Sequence, residues 1–529
     1  MKLLLASCLL TLAAAASGQS PVPSAPPSAL PSALPYLLPY AQAVADRFPL
    51  PAVRHETPGL QPGRQTWTDN SEMEGALRGI AARGGARLVE TGRSGTGRPL
   101  LALHFSRGPG RPVALVIGQQ HGNEPAGGEA VLAVAQQLAD PQAPLAAVLD
   151  RLDVVVLPRA NPDGAALNRR TNAAGLDINR DHLLLRTPEA DALAGLVAWL
   201  RPVLVVDAHE HIALGRYMPK FGAIKGHDLL VQYATTPNLS PALTEEAEAG
   251  FRQPLLQALD RAGITHEWYY TNPTADAELL LTMGGIQPDL ARNVGGLRHA
   301  VSFLLESRGF DLGRLHAERR VHTHVVAIAS LLGSAALQAG RLTELRAKLD
   351  AEVSALACRG DLVVEGAPVR EQREMRMIDP DTGADKRVRV EWDSALQIRP
   401  VLQRARPCGY WLAADSLPAV ERLHRLGVLV RTLPAQQSLR VERYRETARG
   451  EGERSDTLGR VNDPKPVLRV TVALEPGTLL APAGSFYVPL DQPLAHLVTA
   501  ALEPDTQNSW FAHHLVPRLE AVQRVMAAP

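Results

Sequence analysis

The strongest constraint on this chain is an alternation. Short apolar runs at 113–117, 154–157 and 203–207 take turns with longer apolar stretches at 126–138 and 188–200. Strands that alternate with helices build a mostly parallel sheet, because each parallel crossover needs a helix to carry the chain back. Both faces of such a sheet must then be covered. The expected fold class is therefore α/β: a mixed, mostly parallel sheet with helices on both faces. Further strands are expected at 87–91, 100–105, 266–270 and 300–305, with a helix opened by the capping pattern Ser71-x-x-Glu74. Helical texture at 241–262 and 324–338 completes this unit.

The texture changes after about residue 349, where short β-like runs at 361–364, 387–391, 467–474 and 485–488 are separated by turns. Four parts are expected: a signal peptide at 1–18, a proline-rich linker or arm at 19–45, an α/β domain at 46–345, and a smaller β-rich C-terminal region at 346–529. Met1-Lys2, the apolar run 3–16 and Ser17-Gly18 have the charged start, greasy middle and small exit of a secretory leader. Export, to a periplasm or medium, is the expected destination, and no later apolar run is long enough to suggest a membrane span in the mature chain. The stretch 448–466, rich in Gly, Asp and Arg, reads as an exposed mobile loop.

Charge excludes some partners. With 55 Lys+Arg against 55 Asp+Glu the formal net charge is +0, so the chain lacks the electropositive footprint of a nucleic-acid binder. Cys8 falls in the leader. Cys358 and Cys408 remain, an even pair that permits one disulfide in an exported chain or stays as two buried thiols.

Four segments carry chemistry. The run 113–117 enters a loop, Gly118-Gln119-Gln120-His121-Gly122-Asn123-Glu124, that opens a helix. Alone, His-x-x-Glu is a weak signal that reads equally well as a surface loop with a carboxylate at a helix start. A second apolar run ends in Asp207-Ala208-His209, with Glu210 and His211 beside it. Two histidines and a glutamate are the ligand set of many hydrolytic zinc sites, which leave a position for water. Both histidines lie just past strand ends, where open α/β sheets bind ligands. Asp207 can orient His209 from behind. The third segment, 161–180, contains Arg169, Arg170, Asn179 and Arg180, whose guanidinium forks suit a carboxylate or a developing oxyanion. In the fourth, Glu306 ends an apolar strand, where it serves as a base or merely terminates the strand.

In this order, His121, Glu124, Arg170, Asn179, Arg180, His209 and Glu306 resemble the zinc carboxypeptidase family, over roughly residues 71–310. The resemblance implies one Zn2+ held by His121, Glu124 and His209, with Glu306 as general base. It implies that Arg170, nine residues before Asn179, stabilises the oxyanion, with Arg169 as its fallback. Asn179 and Arg180 would receive the terminal carboxylate of a peptide or amino-acid amide. The implied function is a metallocarboxypeptidase that cleaves the bond next to a free carboxylate. Its alternatives are a related zinc amidohydrolase, acting on N-acyl amino acids or cell-wall peptides, and an inactive binding protein on the same fold. One departure stands out: the family's mobile tyrosine is missing from 271–305. Tyr269 or Tyr270 takes that place, or Arg292 and Asn293 do, or there is no lid.

Overall fold

The computed structural model describes residues 42, 44–273, 278–456, 459–461 and 465–529. The expected leader and most of the expected linker lie outside the described residues. Eleven strands are numbered here in chain order: β1 Ala86–Arg93, β2 Pro99–Phe105, β3 Val113–Gly118, β4 Asp153–Leu157, β5 Leu204–His211, β6 Ile224–Lys225, β7 Leu229–Tyr233, β8 His266–Trp268, β9 Tyr270–Thr271, β10 Leu280–Met283 and β11 Val301–Arg308.

An eight-stranded sheet runs β1-β2-β4-β3-β5-β11-β7-β8. Its centre is parallel, through β4, β3, β5 and β11, and β7 also pairs in parallel with β8. The remaining pairs are antiparallel, so the sheet is mixed, as the alternation of elements indicated. The central strands are buried on both faces, which explains why they read as continuous apolar runs. On one face, Ala114, Val116, Val206 and Phe303 pack with helices Pro125–Ala139 and Ala317–Leu337. Among the described residues, only Ala317–Leu337 is long and apolar enough to cross a membrane, and most of it is buried in this core.

On the other face, Leu115, Ile117 and Val205 pack with helix Pro188–Leu200 and with residues from the C-terminal region. Helices Leu417–Arg425 and Ala495–Leu502, together with Tyr410 and Trp510, belong to that same apolar cluster. The C-terminal region thus covers the sheet. Helix Ala339–Ala355 runs through the expected boundary at 345/346.

Three local expectations need correction. The capping box belongs to Asp69 and Glu72: Glu72 N–H donates to Asp69 Oδ1 at 2.8 Å, and Asp69 N–H donates to Glu72 Oε2 at 2.8 Å. Glu74 instead pairs along the helix surface with Arg78, at 2.7 Å. Three of the four C-terminal β runs are longer than expected, while 485–488 stays a short strand, Phe486–Pro489. Strands β12 Asp361–Ile378 and β13 Asp385–Ala405 span 18 and 21 residues and form one long antiparallel hairpin. Their alternating polar residues face solvent, which masked them as strands. With β6, β10 and β9 this hairpin makes a five-stranded sheet ordered β6-β12-β13-β10-β9.

The third correction concerns 448–466, where 448–451 are exposed as expected but lie in a strand, and 457–458 and 462–464 lie outside the described residues. Strand Gln437–Gly452 extends into this stretch, and Arg454 is completely buried, because the hairpin of which it is part reaches back to the catalytic unit. Cys358 and Cys408 form a disulfide across the base of the β12–β13 hairpin.

Candidate active site and metal centre

The parallel register assembles the site. Gly118 at the end of β3 pairs with Ala208 on β5, and His209 on β5 pairs with Glu306 on β11. Neighbouring strand ends therefore deliver His121, His209 and Glu306 to one edge. Side chains alternate along a strand, so Asp207, His209 and His211 project to the same side of β5 and Glu210 to the other. Gly122 is required in the loop after β3: a Cβ there would lie 1.9 Å from the Gly164 carbonyl carbon, so any side chain would push the loop off the 162–167 turn.

His121, Glu124 and His209 come together, all buried. His209 Nε2 donates to Asp207 Oδ2 at 2.8 Å, and His121 Nε2 donates to Asp177 Oδ1 at 3.1 Å. With both Nε2 atoms occupied, each Nδ1 turns its lone pair toward Glu124. The two Nδ1 atoms are 3.0 Å apart, and each lies 2.9 Å from a Glu124 oxygen. Lone pairs this close repel unless a proton or a cation lies among them. The donor set fits zinc: two imidazoles, one carboxylate, and room for a further ligand. The electrostatics agree. Burial opposes charge on His209, yet Asp207 and Glu124 raise its proton affinity well above the ordinary histidine value. Burial also opposes ionisation of Glu124, but His121 and His209 outweigh it and hold the carboxyl well below its usual range.

Behind this group stands a polar layer. Gln120 Nε2 donates to Asp207 Oδ2 at 2.7 Å, while its Oε1 accepts from His182 Nε2 at 2.7 Å. The two residues beside His209 face other tasks. Glu210 pairs with Arg320 and accepts from Ala126 N–H at 2.7 Å, and His211 Nδ1 donates to the Ile212 carbonyl at 3.1 Å.

A cavity of about 490 Å3 opens beside the cluster, lined by His121, Glu124, Arg170, Asn179, Arg180 and Glu306 among others. Arg170 Nη1 lies 3.2 Å from Glu124 Oε1, and its Nε donates to Asp177 Oδ2 at 3.0 Å. Arg169 is exposed and does not line the cavity. Asn179 Oδ1 accepts from Ala291 N–H at 2.9 Å, and Arg180 is 6% exposed. Burial, then repulsion from Glu124, pushes the Glu306 carboxyl up to about 7. A dication held by the cluster would draw it back down.

Of the tyrosines left open by the sequence, Tyr269 is half-buried and lines the cavity. Tyr270 is wholly buried and packs against Trp392. Arg292 also lines the cavity, whereas Asn293 is spent on backbone, accepting from Thr235 N–H at 2.9 Å and donating to the Gln287 carbonyl at 2.8 Å. Sequence reasoning missed Asp177, although it sits two residues before Asn179. It also missed Tyr217, Lys225 and Arg454, for which no spacing signal existed. Arg454 Nη1 donates to the Arg180 carbonyl at 2.9 Å, and its Nη2 pairs with Asp289.

A His-Glu-His cluster at the carboxyl edge of a mixed α/β sheet, with a carboxylate and arginines in the same cavity, defines a metallohydrolase. Residues 75–192 match the model of the zinc carboxypeptidase family. Carboxypeptidase 2 of Trichophyton equinum is 29% identical over 404 residues, 76% of this chain and 73% of the fungal protein. Carboxypeptidase E of Caenorhabditis elegans is 35% identical over 199 residues, 28% of this chain and 42% of that one. A solved metallo-carboxypeptidase from Burkholderia cenocepacia superposes with a TM-score of 0.41 at 22% identity, over 50% of this chain and 68% of that one. The resemblance read from the sequence therefore holds, and this chain is an enzyme similar to the zinc metallocarboxypeptidases.

Proposed function

We propose that this enzyme removes the C-terminal residue of peptides by attack of a promoted water on the bond next to a free carboxylate. The observation that carries this reading is the facing of the His121, His209 and Glu124 lone pairs in the cavity that also holds Glu306 and Arg180. His121, Glu124 and His209 would hold one zinc ion. Bound there, zinc supplies Lewis acidity to water and to the scissile carbonyl.

The protein's own residues do the rest. Glu306 accepts the proton of the attacking water and returns it to the departing amine. Arg170 faces the oxygen on which negative charge develops, so its contribution grows toward the transition state. Asn179 and Arg180 bind the terminal carboxylate and fix which bond lies beside Glu306. Tyr269 closes one side of the substrate and takes the place of the family's tyrosine. Asp177 and Asp207 keep the two histidine rings in register.

Export completes the proposal. Residues 1–18 serve as the leader, and the Cys358–Cys408 bridge suits an oxidising compartment.

The deciding experiment pairs metal analysis of the mature protein with Glu306→Gln. The variant should bind one equivalent of zinc like the wild type and lose nearly all release of C-terminal residues from N-blocked peptides, with chelation abolishing the wild-type activity. Wild-type turnover by Glu306→Gln would remove the base from this scheme.

A further inference from the structure

The cavity contains more positive charge than the cleavage scheme uses. Its anions are already committed. Asp177 serves Arg170 and His121, Glu124 serves the histidines, and Glu210 serves Arg320. Only Glu306 is left. Among the cations, Arg170 is neutralised by Asp177 and Glu124, and Arg180 is assigned to the terminal carboxylate. Three more cations line the same space: Arg216, which is exposed, and Arg292 and Lys225, which are buried.

Arg292 enters from helix Ala291–Leu297 and is 3% exposed. Its Nη2 donates to the Gly285 carbonyl at 2.5 Å, and its Nε has no partner among the described residues. Lys225, on β6, is 1% exposed. Its Nζ donates to the Tyr270 carbonyl at 2.9 Å and lies 4.8 and 4.6 Å from the ring centres of Tyr217 and Tyr270. Nearby Asp311 spends its oxygens on the Ala213 and Leu214 N–H groups, at 2.8 and 2.9 Å. Neither cation forms an ion pair among the described residues. The Tyr217 hydroxyl, on the same wall, is buried without a partner.

Buried cations are normally paired, because an isolated charge out of water is costly. The cost is visible in both groups: burial draws Arg292 down to about 10 and Lys225 down to about 7. An anion arriving in the cavity would relieve both. Since Arg180 takes the main-chain carboxylate, the second anion has to come from the side chain of the same terminal residue.

We propose that Arg292 and Lys225, with the Tyr217 hydroxyl, make this cavity an anion subsite that selects peptides whose C-terminal residue is glutamate or aspartate. This deepens the carboxypeptidase reading and rests on it. Terminal lysine or arginine is rejected by like charge, and a neutral isostere of glutamate leaves both cations unmet.

The test is a kcat/KM panel of N-blocked dipeptides with the zinc-loaded mature protein. The ends compared are Glu, Gln, Asp, Asn, Leu, Phe and Lys. A charge-assisted contact predicts a Glu-to-Gln ratio of about 10–100, with Lys the poorest. Arg292→Met and Lys225→Met should each pull that ratio toward unity, and Arg292→Lys should restore part of it. Should Arg292→Met fail to fold, the wild-type ratio and Lys225→Met still decide. A wild-type ratio near or below unity overturns the inference. So does an equal loss on Glu and Gln ends in both variants, which would put these residues on the main-chain carboxylate or on Glu306. Best cleavage of neutral or basic ends sinks this inference alone, whereas no cleavage of any peptide sinks the carboxypeptidase reading with it.

Discussion

Replacing Arg454 by methionine tests how the C-terminal region supports the site. The substitution keeps the apolar stem and removes the guanidinium. Arg454 and Asp289 are both 0% exposed, so their pairing is fully desolvated. Removing one partner of such a pair strands the other charge and costs roughly 3–5 kcal/mol. Asn508 Nδ2, which donates to Asp289 at 2.7 Å, remains and places the expected loss toward the lower end. Adding Asp289→Asn should recover part of the loss, because the amide carries no charge to strand, and a double-mutant cycle should return a coupling of about 2 kcal/mol or more. Urea unfolding at pH 7.5 measures these differences.

A second readout separates support of the site from plain stability. Because Arg454 Nη1 holds the Arg180 carbonyl at 2.9 Å, the variant should raise KM for free-carboxylate substrates about tenfold, or ~1.4 kcal/mol, with a smaller change in kcat. Arg454→Lys should restore part of that loss. A loss under about 1 kcal/mol with additive single mutants, together with an unchanged KM, would refute the argument from burial.

Two other outcomes follow from the packing. Reducing Cys358–Cys408, or replacing both with serine, opens a loop of separation 50 and should cost about 4 kcal/mol by the chain-entropy relation, measured as a shift of the urea midpoint. His496 is 8% exposed; burial, then Arg406 and His299, lowers it to about 3 from 6.5. The unfolded chain takes up that proton first as pH falls below 6.5, so the stability this residue allows at neutral pH is lost progressively toward pH 3. The loss amounts to about 2 kcal/mol between pH 7.5 and 5, and His496→Leu should remove that share of the acid sensitivity in urea titrations at the two pH values.

The legible parts share one property: they are local in sequence. The strand-to-loop passage around His121 and the strand end at His209 were readable, because a continuous apolar run that stops at a polar residue announces its own end. The lengths of the 361–378 and 385–405 strands were not, since a largely solvated hairpin alternates polar with apolar residues and looks like a series of turns. The capping box was displaced by two residues because Asp69 and Glu72 match the same spacing as Ser71 and Glu74.

By itself the sequence determined the alternation of strands and helices, the three candidate metal-binding side chains and the carboxylate at the end of the last central strand. Each of these depends on a residue type at a strand end and so travels with the local pattern. The tertiary structure alone decided the remainder: the register that sets Glu306 opposite His209, the Asp177 carboxylate behind His121, and the arrival of Lys225 and Arg454 from distant segments. The physical reason is that a buried charge is specified by what folds against it, and its partners here lie tens to hundreds of residues away along the chain.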